Sequence, residues 1–314
     1  MFTFFVRRLF TLIPTLVFVS MLIFSLQQLL PGDPALVLAG EDPSPEAIAH
    51  IRAKLHLDDP LPVRYGYWIA GVLQGDLGES ARTHQPVLEL ILQKLPVTIE
   101  LALLALLIAL VISIPAGIVS AVYKGSAVDT GATVFALTGL STPNFWLGIM
   151  LILLFSVELG WLPASGYVSP FENLRANLAS MIMPAFVLGN AIAASLMRHM
   201  RSSMLQELSA DYVRTARAKG LSERVVLFKH VLRNALLPIL TGAVASLPLL
   251  FMGSLISESF FGIPGLGSYT LDALSGQDFS IVRAMVFLGS SLYIVGLIMA
   301  DISYTLADPR VRFE

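Results

Sequence analysis

The sequence predicts an all-α integral membrane protein with six transmembrane helices and a long helical loop outside the membrane after the first. Two observations carry this. Of 314 residues, 55% are hydrophobic and 13% charged. Soluble domains average about 25% charged, so these charges are too sparse to cover soluble domains of this length. Second, six runs lack Asp, Glu, Lys and Arg: 9–32, 101–123, 130–157, 176–197, 234–257 and 284–300. A span needs about 20 residues. Five runs meet that; the last reaches it if Asp301 lies inside.

Arg7 and Arg8 precede the first run as in a signal peptide. The run exceeds the usual apolar core and ends in Leu-Leu-Pro-Gly-Asp without a small-x-small cleavage pattern, so it reads as a helix. Eight of the 20 Lys and Arg lie between Arg198 and Arg233, which puts that loop and both termini inside. The segment 31–96 then lies outside, with nine acids against five bases. Ser44, Pro45 and Glu46 start a short helix over 45–55. Residues 62–73 read as an amphipathic helix whose Tyr65 and Trp68 suit an interface or the helix ends. Gly75–Gly78 is a turn. His50, His56 and His84 are too far apart for a metal motif, and none is expected.

Helix two should begin after Pro96, with Glu100 one turn in. The third run contains Ser141-Thr142-Pro143-Asn144-Phe145-Trp146. A proline at membrane depth frees a carbonyl that Ser or Thr re-satisfies, which permits a kink. That kink is either a packing bend or a pathway wall, with Asn144 the polar group. The fourth run carries Pro184, Gly189, Asn190 and several alanines, a composition for close helix approach. The fifth has Pro238, Pro248, Gly242 and Gly253 and ends at Glu258, which suits a bent, gate-like element or simple packing. The apolar stretch 259–267 either re-enters between helices or is covered by a partner. Glu100, Glu258 and Asp301 are intramembrane acids and so candidate functional groups. Glu100, Asn144 and Glu258 are the pathway candidates.

The most charged inner stretch is 211–240. Its pattern from Glu207 to Lys219 is helical, with Leu208, Tyr212, Thr215 and Ala216 on one face. Gly220 stands where a helix ends in the left-handed region, and Ser222 is placed to cap the next. A face of small residues (Thr215, Ala216, Ala218, Gly220) flanked by cations suits a close grip by another protein. An ordinary basic, lipid-touching loop would look similar.

Ala216–Leu221 (ARAKGL) followed by Arg233–Leu240 (RNALLPIL) resembles the cytoplasmic EAA loop of ABC-importer permeases. Ala216, Gly220 and Pro238 fall at that motif's positions, while Arg214 or Thr215 stands near its glutamate. PGDPA, GDLG, TPNFWLG, the segment ending PGLG, and DPRVR also resemble the dipeptide, oligopeptide and nickel branch, in its dipeptide- or glutathione-type B subunits. The resemblance implies a type I importer permease fold. Residues 1–30 would be the N-terminus and first helix, 31–96 the outer loop, and 97–314 a core of five helices with its coupling loop at 201–233. It implies that Asp211, Tyr212, Arg214, Thr215, Ala216, Arg217, Lys219 and Gly220 couple to an ATPase. It further implies a second permease in a heterodimer, two cytoplasmic ATPase subunits holding ATP and Mg, an extracytoplasmic solute-binding protein, and a bacterial inner membrane. Small peptides are the implied cargo, with nickel or glutathione as alternatives.

The residues alone leave a channel or ion-coupled carrier open. They do exclude some chemistry. No Walker-type G-x-x-x-x-G-K-[ST] occurs, so ATP is not held here by that route, and neither H-E-x-x-H nor G-x-S-x-G is present. The chain is expected to be a transport subunit, with no cofactor of its own. No inverted repeat with matched broken helices is evident, and the formal charge of −2 suggests no nucleic-acid partner.

Overall fold

The computed structural model describes residues 2–28, 33–39 and 44–307. Pro31, Gly32, the charge of the Asp308–Arg312 ending and the side chain of Asp301 lie outside the described residues. Among the described residues the only strand-like pairing is one bridge, between Glu79 and Pro86. The helices are α1 (Phe2–Gln27), α2 (Pro34–Ala39), α3 (Pro45–Lys54), α4 (Leu61–Leu73), α5 (Val87–Val122), α6 (Ala127–Ser141), α7 (Asn144–Leu151), α8 (Leu174–Leu208), α9 (Asp211–Ala218), α10 (Glu223–Val225), α11 (Leu232–Phe261), α12 (Leu266–Ser275) and α13 (Phe279–Ala307). π-helical turns extend α7 through Glu158 and join α10 to α11.

Four of these are long and apolar enough to cross a membrane: α5, α8, α10 with α11, and α13 up to Ala300. A fifth forms if α6 and α7 make one span, and Leu12–Gln27 of α1 is a shorter apolar helix. The α6–α7 pair bends by 105° at the proline the sequence marked. Thr142 closes the end of α6, its N–H and Oγ1 both donating to the Thr138 carbonyl at 3.0 and 2.7 Å. One expectation shifts. α5 begins at Val87 rather than after Pro96: Val87, Leu90 and Ile91 are buried along its first turns, and that burial offsets the lost hydrogen bond and the ring clash of an interior proline. α11 runs as one helix through Pro238 and Pro248.

The chain divides into two compact units. The first comprises Met1–Thr98 and Pro264–Ile294. In it Ser44 caps α3, accepting from the Ala47 N–H at 3.1 Å. α4 packs its aromatic face on α1 and α13. The Tyr65 and Ser20 hydroxyls are 2.8 Å apart, Phe24 stacks on Trp68 at 5.6 Å, and Trp68 meets Phe287 edge-on at 5.7 Å. Gly75 and Gly78 have φ of 84° and 89°, so the turn between them needs glycine. Ser80, buried, donates to Asp278 Oδ2 at 2.6 Å, and the Leu266 N–H donates to Thr98 Oγ1 at 2.8 Å.

The second unit comprises Ile99–Ile263 and Val295–Glu314. Its axis is α8, which is buried along most of its length. Glycines set the approach of its neighbours. A Cβ on Gly189 would fall 2.4 Å from the Ala105 carbonyl oxygen, and one on Gly117 would fall 2.5 Å from Met200 Cβ. Asn190 Nδ2 donates to the Gly139 carbonyl at 2.8 Å and holds α6. Phe261 and Ile263 are buried within the chain, so this part of 259–267 is covered without a partner. Gly189→Val should destabilise the protein by about 1–3 kcal/mol through overpacking. Gly66→Ala, inside α4 with nothing within 4 Å of its Cβ, should instead raise the unfolding temperature in detergent slightly, by about 0.5–1 kcal/mol of stability.

Candidate functional site

The elbow is built from α9 and the turn after it. A continuous helix from Glu207 to Lys219 does not form: α8 stops at Leu208 and α9 starts at Asp211. The buried residues of α9 are Val213 and Ala216, three apart on one face, rather than the face of Tyr212 and Thr215. They pack among Met200, Met204, Val226, Val231 and Ile239. Ala216 therefore seats the elbow on its own chain, whereas Asp211, Tyr212, Arg214, Thr215, Arg217, Lys219 and Gly220 face outward.

The turn is a Schellman motif. Gly220 has φ 76°, its N–H donates to the Arg217 carbonyl at 2.9 Å, and the Leu221 N–H reaches the Ala216 carbonyl at 3.4 Å. Across it, Arg217 grips Glu223 with Nε and Nη2, at 2.8 and 3.2 Å. Ser222 precedes α10, but its side chain makes no cap bond; Glu223, the residue that follows it, is committed to Arg217. At the other end the Tyr212 hydroxyl donates to Glu207 and accepts from Asn234 Nδ2 at 3.1 Å. Burial, with Glu207 second, raises the pKa of that phenol. Thr215 Oγ1 returns to the Asp211 carbonyl at 2.9 Å, and Arg214 reaches Asp211 at 3.5 Å.

The predicted pathway residues are not brought together with the elbow. Glu100 is half-buried and accepts from the Tyr167 hydroxyl at 2.9 Å and from Asn177 Nδ2 at 2.6 Å. Glu258 is fully buried, and its backbone carbonyl accepts from the Ile263 N–H at 2.8 Å. Asn144 is half-buried at the first position of α7. The angle between α6 and α7 holds an open cleft of about 570 Å³ lined by Val134, Leu137, Thr138, Ser141, Phe145 and Trp146, among others but not Asn144.

Sequence reasoning missed a clamp behind the elbow. Asp129, 6% exposed, accepts from Arg201 Nε and Nη2 at 2.7 and 2.8 Å, from Ser120 Oγ at 2.6 Å and from the Gly125 N–H at 2.9 Å. All the principal acceptor positions of the carboxylate are filled, which is what makes a buried acid tolerable. The clamp fixes the α5–α6 turn to the part of α8 that leads into α9. An acid just before the third apolar run and a base just beyond the fourth were the available signal.

Comparison with known proteins places this geometry. Residues 113–313 match the family described as Binding-protein-dependent transport system inner membrane component, and residues 1–102 match its N-terminal counterpart. The chain belongs to this family of multi-pass inner membrane transport components. It is 43% identical over 309 residues to a Brucella abortus chain that carries the name of a peptide transport system permease protein, covering 98% of each. It is 40% identical to the Bacillus subtilis oligopeptide transport system permease protein AppB, again over 98% of each, and 38% identical to the Escherichia coli dipeptide transport system permease protein DppB over 100% of each.

Two outcomes are expected at these polar contacts. Asp129→Asn should lower thermal stability in detergent, and Arg201→Lys should lower it less, because lysine keeps the charge but not the two-pronged grip. The Tyr167 hydroxyl is pushed up to about 12, by burial first and Glu100 second. Its contact contributes stability below the ordinary value of 10.0 and loses it as pH rises through about 12. Ultraviolet phenolate titration should therefore show a late phase that Tyr167→Phe diminishes.

Proposed function

We propose that the chain is one of two permease subunits of an ATP-driven peptide importer and forms half of its solute path through six spans. The single observation that carries this reading is the elbow. A short helix is bolted to the core by Val213 and Ala216 while Tyr212, Arg214, Thr215 and Lys219 stay exposed around a glycine-capped turn. The elbow is the surface for a cytoplasmic ATPase, and both termini lie on the same side. Two ATPases, which hold ATP and Mg, draw this elbow and its counterpart on the second permease together. That motion opens the path outward, and hydrolysis resets it. A solute-binding protein delivers the cargo from outside. The names of the relatives favour peptides over nickel or glutathione, and Glu100 and Asn144 are the pathway candidates that keep exposed surface.

The test is co-purification from native membranes followed by an ATPase assay. The expected complex holds a second permease and two ATPases, and a loaded binding protein stimulates it. A chain that purifies alone and moves solute into liposomes without ATP would establish the carrier reading instead. Gly220→Val places a β-branched residue in the left-handed region at a local cost of about 1–2 kcal/mol. It should abolish the response of ATP hydrolysis to binding protein and cut peptide uptake by about tenfold or more, a barrier increase of at least about 1.4 kcal/mol, while the chain still inserts. Normal uptake by that variant would remove the docking role of the elbow.

A further inference from the structure

Arg283 is the fifth residue of α13, inside an apolar span. Its guanidinium carbon lies 5.7 Å from the Phe24 ring centroid and 5.3 Å from that of Trp68. These rings hold the cation in place but leave its charge uncompensated. Its Nε is buried and has no acceptor among the described residues. Among the described residues, no carboxylate pairs with Arg283 or with Arg64. Arg64 lies one helical turn before Trp68, on the same face of α4, and Trp68 is the ring that Arg283 rests on. A third group shares the place. Gln27 Nε2 donates at 3.0 Å to the Phe279 carbonyl, one turn before Arg283, while its buried Oε1 has no donor among the described residues. Two like charges and a spare acceptor are thus carried by α4, α13 and α1 around the Phe24–Trp68 contact.

The surrounding surface is apolar. α4 reads LPVRYGYWIAGVL, with Arg64 its one charge, and turns Leu61, Val63, Tyr67 and Leu73 outward. The adjoining α1 exposes Phe18, Met21, Leu22 and Leu26. A charged ammonium or guanidinium in a span normally faces a partner. A soluble acid would satisfy the arginines but would leave the apolar face of α4, which lies outside the spans, open to water. A phospholipid satisfies both.

We propose that Arg64 and Arg283 hold the phosphate of a membrane phospholipid whose acyl chains lie along the exposed faces of α1 and α4. The guanidinium fork suits phosphate oxygens, and Gln27 Oε1 accepts from a hydroxyl or ammonium of the headgroup. Aromatic residues flanking the headgroup level fit the same placement.

The test is lipid titration of the full chain, purified in detergent and stripped of lipid. Native mass spectrometry counts bound phosphatidylglycerol for the wild type, Arg64→Gln and Arg283→Gln. One lipid should bind the wild type, and each substitution should weaken it about tenfold, the loss of a hydrogen bond to a charged group. Arg283→Lys should recover part of the affinity. Should Arg283→Gln fail to insert, Arg64→Gln, half-buried on α4, still gives the reading. Equal lipid binding by the wild type and both glutamine variants overturns the site. Displacement of the bound lipid by a dipeptide, with the same dependence on Arg283, overturns the lipid as occupant and assigns the cations to solute.

Discussion

The second unit depends on one constraint, the approach of α8 to the helices around it. In an apolar solvent the hydrophobic effect does little to hold two helices together, so contact area must come from backbone proximity. Gly189 against the Ala105 carbonyl and Gly117 against Met200 supply it, and Asn190 adds a hydrogen bond to Gly139. With α8 fixed, its lower half presents Met200 and Met204 as the floor on which Val213 and Ala216 sit. The elbow is therefore an extension of helix packing, and its rigidity is borrowed from α8.

Two acids in this chain are handled by saturation. Asp129 takes four hydrogen bonds, and Glu100 has a donor on each oxygen. Each ties elements distant in sequence and each sits near the end of an apolar run, where desolvation is cheapest. Asp129 and Glu100 thus also act as fasteners within the second unit. Arg283 is an exception, a cation held against two rings, and Gln27 Oε1 and the hydroxyls of Ser113, Ser257 and Tyr269 are likewise buried without a partner among the described residues.

Apolar runs free of charge were legible because a helix in lipid has no other way to satisfy its backbone. The α3 cap, the glycine turn at 75–78 and the left-handed Gly220 were legible because each rests on local geometry that one or two residues dictate. The break at Ser209–Ala210 was not, since neither glycine nor proline marks it and only the burial of Val213 in the core decides which face turns inward. The Asp129–Arg201 clamp was equally hidden, because 72 residues separate its partners and spacing says nothing at that range. Family motifs marked Ala216 but could not say that it points into its own chain.

The first unit is assembled from two stretches of chain, residues up to Thr98 and Pro264–Ile294. Ser80 and Thr98 therefore wait for Asp278 and Leu266 before their bonds can close. At a synthesis rate of about 5–20 residues per second, the intervening segment takes roughly 10–30 s to make. During that interval the outer loop and the first helix are present without the helices that complete their packing. The second unit's helices up to Phe261 are all made within it. Biogenesis is thus staggered by the chain itself: most of the half that carries the elbow is made before the loop's packing partners exist, and both halves take their last residues from the C-terminal part of the chain.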